Sequence, residues 1–268
     1  MKLNIVTAAA NKVWAAIIRE VATQEDMTLA LSRRGTDFPN ATNIKVTDLA
    51  NLDVTKKELQ VVLEKINPAD IEQINLFHNC CYAVCEVPNL QEKYPQHASN
   101  PKLVLQDLDG DGIDDRSYHA ILTIFRNVLS IILAQYPDKE ISLWTICSLT
   151  DKKSYEPTVF RSMVRSNKLL RNDLHDLVIC NKNIQAVCIS ASTVRTDTEE
   201  KFRPYSIDKE YWVSWEAVAG TLVAETHEHR NVFKDIDLYV WNPRYNKELK
   251  DETDEQLTER LKKEIWII

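Results

Sequence analysis

Glycine is the residue that this sequence most lacks. Only Gly35, Gly110, Gly112 and Gly220 occur among 268 residues, whereas an average usage of about 7% gives roughly 19 in a chain of this length. Loops that cradle phosphate groups depend on glycine, because the main chain approaches a phosphate closely only where no side chain intervenes. The shortage therefore argues against functions that need a glycine-rich phosphate loop.

Long apolar runs, basic clusters and paired cysteine motifs are also missing. No uninterrupted apolar run approaches the roughly 18 residues that cross a bilayer, and the segment 1–6 turns polar too early for a secretory signal. The net charge is −7, from 33 basic and 40 acidic residues, without a basic cluster that would bind nucleic acid. The six cysteines lack a paired C-x-x-C framework and are predicted to be buried thiols. We expect a cytoplasmic protein that binds neither nucleic acid nor a membrane.

Short β-rich apolar segments alternate with helical patterns along the chain. A composition with 44% hydrophobic and 27% charged residues provides a full core without disulfides or metal. Seven strands are predicted, at 3–7, 28–31, 43–46, 74–77, 141–147, 185–189 and 235–240. The alternation predicts βαβ units with right-handed crossovers, and hence a Rossmann-like, doubly wound parallel sheet of about seven strands with helices on both faces.

One domain is predicted for residues 1–246, with an acidic insertion near 86–117, followed by a charged tail helix at 247–268. In the tail, Leu257, Leu261 and Ile265 recur at a spacing of four residues, which indicates one apolar helix face. We expect the tail to dock on its own domain. A homo-oligomer or a protein partner that uses this face is the alternative.

The residues at the predicted strand ends form an ordered series. The segment Asn4–Trp14 stands at the first strand and turn, and Arg34 and Asp48 follow the second and third strands. His78 and Asn79 end the fourth strand, and Thr145–Ser148 end the fifth. This series resembles the short-chain dehydrogenase/reductase family over about residues 3–242, nearest to the sepiapterin reductase and benzil reductase branch. The resemblance implies an NADP site formed by Arg34, Asp48, Asn79 and Thr196.

The same resemblance implies a catalytic serine at Ser148 and a catalytic lysine at Lys168. The family tyrosine then belongs at position 164, where this chain has Val164. Carbonyl reduction needs a proton donor beside the hydride acceptor. Tyr155, in the loop before this helix, is the candidate substitute acid.

Departures from the family pattern decide between two functions. Ala8, Lys12 and Trp14 stand where the family's T-G-x-x-x-G-x-G loop has glycine, and the Trp14 indole is expected to occupy the space that the cofactor needs. We therefore predict that no dinucleotide binds in the usual pose. The expected function is that of a non-redox enzyme, or of a pseudoenzyme that binds a small-molecule ligand or a protein partner. The alternative is an active NADP(H)-dependent carbonyl reductase of the sepiapterin or benzil type.

A second motif lies in the acidic insertion, where the sequence reads Asp-Leu-Asp-Gly-Asp-Gly from Asp107. It resembles calcium-binding D-x-D-G-D-G loops, in which alternate carboxylates converge around a sharp turn at glycine. The candidate ligands are Asp107, Asp109, Asp111, Ile113 through its carbonyl, and Asp115. The alternative is a solvated acidic turn in which Asp114, Asp115 or Ser117 caps the following helix.

Overall fold

The protein is described by a computed structural model. It describes residues 1–79, 106–107, 110–111, 114–152, 158–226, 232–242 and 252–266. The predicted acidic insertion lies mostly outside these ranges.

A seven-stranded parallel sheet forms the centre of the molecule, with the strand order β3-β2-β1-β4-β5-β6-β9. The strands are β1 Lys2–Val6, β2 Met27–Ser32, β3 Thr42–Lys45, β4 Gln73–Asn79, β5 Glu140–Ser148, β6 Ile184–Ala191 and β9 Phe233–Leu238. All six neighbouring pairs are parallel. The predicted Rossmann-like fold class is confirmed.

Helices cover both faces of this sheet. They are α1 Lys12–Val21, α2 Leu52–Leu63, α3 Asp115–Gln135, α4 Arg161–Cys180, α5 Asp197–Phe202, α6 Trp215–Glu225 and α7 Asp254–Trp266. Helix α3 contains a π-helical turn at His119–Thr123. Helix α4 continues to Cys180, and Leu174 extends its buried face.

Two separate apolar cores lie on the two faces of the sheet. One contains Leu59 of α2, Val128 of α3 and Leu170 of α4. The other contains Ile17 of α1 and Leu222 of α6. Strands β5 and β6 are buried on both faces, which explains why their sequences are continuous apolar runs rather than alternating ones.

A short segment after β6 was not predicted. Residues 193–214, which we call the cap segment, carry α5 between two short strands, β7 Val194–Arg195 and β8 Val213–Ser214. The two strands pair in parallel, so the cap segment leaves the sheet and returns to its starting point before α6 begins. Helix α7 lies against the cap segment, since the Tyr205 amide donates to the Glu264 carbonyl at 3.1 Å.

Two expectations concern apolar residues. In the described part of the chain, α3 is long and apolar enough to cross a membrane by length and composition alone, but Arg126 and Asn127 interrupt its apolar run. Core helices meet the same criterion, and α3 buries Val128 and Ile132 in the sheet core. Cys147 and Cys188 are buried as predicted, but Cys180 is exposed because it lies at the end of α4.

Candidate functional site

The sheet reverses its strand order between β1 and β4, and ligands of open α/β sheets bind outside the carboxyl ends of the strands at such a point. The ends of β1 and β4 are tied together here. The Thr7 amide donates to the Phe77 carbonyl at 3.0 Å, and the Thr7 hydroxyl lies 2.9 Å from Nδ1 of His78. The described residues around this edge therefore form the candidate site.

The turn after β1 keeps a tight main-chain path without glycine. Ala8 has a φ of 51°, in the left-handed region that glycine adopts most easily. It stands where the family loop has its first glycine. Asn11 then caps α1, because its side chain accepts a hydrogen bond from the Val13 amide at 2.9 Å. The turn therefore holds a left-handed residue although it contains no glycine.

Trp14 does not lie where the sequence analysis expected it. Its side chain is fully buried in the core between α1 and the sheet. The indole contacts the Phe77 ring at a centroid distance of 6.1 Å, and Phe77 stacks on Trp144 at 6.0 Å. The expectation that Trp14 fills the cofactor space is wrong, because the first turn of α1 directs this position toward the sheet.

A cavity of about 370 Å³ lies between the N-terminal end of α1, the base of the cap segment and the N-terminal end of α6. Its lining residues are Lys12, Arg195, Thr196, Asp197, Glu200, Ser214, Trp215 and Glu216. An ion pair crosses from α1 to the cap segment, with Lys12 Nζ 2.7 Å from Asp197 Oδ2. Lys12 lowers the pKa of Asp197 through this hydrogen bond and through its charge. The carboxylate is therefore ionised at neutral pH.

The helix ends at this cavity are capped by the protein's own side chains. The Thr196 hydroxyl accepts from the Glu199 amide at 3.1 Å, and the Ser214 hydroxyl accepts from the Ala217 amide at 3.1 Å. Both hydroxyls satisfy main-chain donors that an anionic ligand would otherwise use. Charges of both signs line the cavity, so it suits a polar ligand.

Two of the three predicted catalytic residues, Ser148 and Lys168, lie in the described part of the chain, and their catalytic roles stay predictions. Ser148 ends β5, and its hydroxyl accepts from the Thr150 amide at 3.2 Å. Lys168 lies half-buried on α4, and no hydrogen bond or ion pair joins it to Ser148 in the part of the chain that the structure describes. Val164 is fully buried in the core. Tyr155 lies outside the described residues, so its role as the acid stays a prediction.

The predicted cofactor residues lie at separate points of the carboxyl edge. Arg34 is exposed in the turn after β2. Asp48 is exposed after β3, where its carboxylate accepts from the Ala50 amide at 3.0 Å. Asn79 is the last residue of β4, and its side chain lies outside the described part. Only Thr196 lines the cavity.

The acidic loop is described in part. The Asp107 carboxylate accepts from the amides of Gly110 and Asp111 at 2.6 and 3.1 Å, with a φ of 84° at Gly110. Asp114 is the N-cap of α3, as one alternative predicted, and it pairs with Arg116 at 2.7 Å. The described residues hold no group of three ligands that could bind a metal. The predicted ligands Asp109 and Ile113 fall outside them, so the calcium site stays a prediction.

Sequence reasoning missed a buried charge cluster beneath the ends of β5 and β6. Arg171 of α4 pairs with Asp151 at 3.0 Å and donates to the Ser190 hydroxyl at 2.8 Å. Burial raises the pKa of Asp151, and Arg171 opposes that rise. Lys152 bridges to Asp235 of β9 at 3.0 Å. The only sequence signal was the acidic alternation in β9, which is unusual for a strand.

His78, one of the strand-end residues that carry the resemblance, is fully enclosed. Its Nε2 lies 2.8 Å from the Ile121 carbonyl in the π-helical turn of α3, and its ring contacts Phe125. A carbonyl only accepts, so Nε2 carries the proton and Nδ1 accepts from Thr7. Burial lowers the pKa of His78 to about 4. The imidazole is therefore neutral and joins three elements at the strand switch.

No family model and no curated protein sequence matches this chain. Solved structures do match it. An alcohol dehydrogenase from the archaeon Thermococcus sibiricus, complexed with 5-hydroxy-NADP, has a TM-score of 0.62 at 12% identity, covering 91% of this chain and 100% of the other. A short chain dehydrogenase from Burkholderia cenocepacia in complex with NADP has a TM-score of 0.60 at 9% identity, covering 97% and 96%.

A 4-hydroxyisoleucine dehydrogenase complexed with NADH gives a TM-score of 0.60 at 12% identity, over 88% of this chain and 97% of that one. Identities this low show the fold alone. The chain thus has the fold of the short-chain dehydrogenases, over nearly its whole length.

Proposed function

We propose that this protein binds a polar ligand in the cavity at the carboxyl edge of the sheet and does not transfer hydride. The observation that carries the proposal is the ion pair between Lys12 and Asp197, which crosses this cavity. In the Rossmann fold a dinucleotide places its diphosphate at the N-terminus of the first helix. Lys12 is the first residue of α1, and its ammonium group is held there by a carboxylate.

The charges around the cavity oppose a diphosphate. Asp197, Glu200 and Glu216 present three carboxylates, whereas Lys12 and Arg195 present two cations. Both cations have acidic neighbours, since Arg195 Nε lies 3.7 Å from Glu200. A diphosphate that entered would separate these pairs and approach the freed carboxylates. The residues present therefore do not fit a dinucleotide in the family's usual pose.

The position of the family's proton donor is the second support for this proposal. Val164 stands where the resemblance places the tyrosine, and it belongs to the apolar core rather than to the site. Ser148 alone could orient a carbonyl, but it supplies no proton relay. These two losses support a non-redox enzyme or a ligand-binding pseudoenzyme.

An active NADP(H)-dependent reductase remains the second candidate. Ala8 keeps the left-handed conformation of the family turn, and such strain persists where the surrounding structure or the function demands it. Arg34 is exposed after β2 and could meet a 2′-phosphate. Two of the structurally similar dehydrogenases are complexes with NADH and with NADP. Assignment to the sepiapterin or benzil branch rests on sequence resemblance alone.

A titration with NADPH tests the proposal, with energy transfer from tryptophan to the reduced nicotinamide as the signal. We expect no saturable binding at submillimolar NADPH. Saturable binding in the micromolar range, with the ring quenching tryptophan, would overturn the proposal and favour the reductase.

Two variants make this test specific to the ion pair. Asp197→Asn removes the carboxylate and should strengthen any weak NADPH binding, because it frees Lys12 and lessens the repulsion. Glu210→Gln is the matched control, since Glu210 is an exposed acid of the same cap segment that does not line the cavity. An equal effect of both variants would show that only net charge matters, not the ion pair.

A further inference from the structure

Four charged side chains join the C-terminal helix to the cap segment, and we call them the clasp: Arg203, Glu252, Arg260 and Glu264. The Glu264 carboxylate bridges both arginines, with Arg203 Nε donating to Oε2 at 2.7 Å and Arg260 Nη1 donating to Oε1 at 3.0 Å. Arg260 also donates to both oxygens of Glu252, at 2.7 and 2.9 Å. Two cations thus meet two anions in one connected network.

The clasp is largely enclosed. Side-chain exposure is 10% for Arg203, 4% for Glu264, 5% for Glu252 and 23% for Arg260. The loss of one charge from an enclosed network leaves its partner uncompensated, which costs far more than the loss of a surface pair. The pair of Arg203 and Glu264 is the one that crosses from the cap segment to α7, and Glu199 lies 3.8 Å from Arg203 Nη1 as a further carboxylate.

Arg203 connects the clasp to both ends of the cap segment. Its Nη1 donates to the Thr193 hydroxyl at 3.0 Å, where the segment begins. Its guanidinium group lies over the Trp212 ring at 5.2 Å, close to where the segment ends. Arg203 therefore links α7 to residues near both ends of the cap segment.

The joint between α7 and the cap segment is distinct from the two cores of the sheet. Phe202 of the cap segment and Leu257 and Leu261 of α7 are buried, but none of them belongs to either core cluster. Local units with few apolar contacts open at lower free energy than the whole fold. Helix α7 also contacts the turn Thr158–Phe160 before α4. It thus reaches from the cap segment across to the other side of the carboxyl edge.

The base of the cap segment supplies Arg195, Thr196, Asp197 and Glu200 to the cavity. We propose that α7 is a strap that sets how far the cap segment opens over this cavity, with the clasp as its lock. When the clasp is released, α5 is free to move, and α5 carries the partner of Lys12. This inference rests on the proposed function, in which the cavity is the ligand site.

Hydrogen exchange measured by mass spectrometry tests the strap without any ligand. Glu264→Gln keeps the shape of the side chain and removes its charge. We expect amides of 197–203 to exchange at least tenfold faster in this variant, because the Glu200 and Arg203 amides donate within α5. Amides of β5 and β6 should keep the exchange rates of the unmodified chain. Glu255→Gln is the matched control, since Glu255 is exposed on the same helix.

Two results would overturn the strap. Unchanged exchange at 197–203 would show that the clasp does not hold the cap segment, and equally faster exchange in β5 and β6 would show a purely global role in stability. Glu252→Gln weakens the clasp through Arg260 and should give a smaller increase in exchange in the same peptides. This second variant keeps the test valid if Glu264→Gln folds poorly. Micromolar NADPH binding would overturn the proposed function but leave this exchange result unaffected.

Discussion

The buried histidine at the strand switch makes the stability of this protein depend on pH in a defined window. His78 is enclosed completely, and burial lowers its pKa from 6.5 to about 4. Between these values the unfolded chain binds a proton that the folded chain excludes, so the free energy of unfolding falls as the pH falls. Above pH 6.5 the neutral imidazole costs nothing, and below pH 4 no further loss arises from this group.

The magnitude follows from the size of the shift. A difference of one pKa unit corresponds to about 1.4 kcal/mol, so a fall from pH 7.5 to 4.5 should remove about 2–3 kcal/mol through His78 alone. Such a loss is a large fraction of the 5–15 kcal/mol that is typical of a folded protein. Urea unfolding at several pH values measures it, because the midpoint and slope give the free energy at each pH.

Carboxylates titrate in the same range, so the comparison of variants carries the test. His78→Gln removes this titrating group. Between pH 7.5 and 4.5 the free energy of unfolding of the variant should therefore fall by about 2–3 kcal/mol less than that of the unmodified chain. His175→Gln is the control, because His175 is exposed on α4, and its profile should run parallel to that of the unmodified chain. Parallel profiles for the unmodified chain and His78→Gln would refute the reasoning, since they would show that the imidazole titrates alike in both states.

Two further predictions concern charges outside the cavity. Arg171→Met leaves the enclosed Asp151 carboxylate without this guanidinium group and should cost about 3–5 kcal/mol of unfolding free energy. Arg126→Met removes the exposed pair with Asp173 and a hydrogen bond to the Tyr118 hydroxyl, and should cost less than about 1 kcal/mol. Similar losses in the two variants would contradict this interpretation of burial. If the acidic loop binds calcium, millimolar calcium but not magnesium should raise the melting temperature, and Asp107→Asn should abolish the rise. No shift with calcium would favour the plain acidic turn.

The sheet was predictable from the sequence because its strands are buried on both faces. Continuous apolar runs such as 141–147 have few alternatives in a chain of alternating elements. The cap segment was not predictable, since β7 and β8 have two residues each and carry no periodic signal. Its contact with α7 joins Arg203 to Glu264, which are far apart in the sequence, and no spacing pattern reveals such a pair.

The candidate site was likewise predictable from the sequence only in part. Residues that end strands, such as Ser148 and Asn79, were placed correctly at the carboxyl edge by the parallel sheet alone. The partner of Lys12 could not be inferred, because pattern and spacing say nothing about which of 40 acidic residues meets a given lysine. The direction in which the Trp14 indole points depends on the residue at which α1 begins. A shift of one residue in the start of α1 would turn the indole away from the sheet.

Trp14 nevertheless affects the site from inside the core. The third glycine of the dinucleotide fingerprint allows the first helix to pack closely on its strand. Here α1 rests instead on a layered aromatic group, with Trp14 against Phe77 and Phe77 against Trp144. A side chain of this size requires room between helix and sheet, because protein interiors are close-packed. The core side chain and the ion pair of Lys12 therefore act on the same helix end. One sets how α1 packs on the sheet, and the other holds it to the cap segment through Asp197.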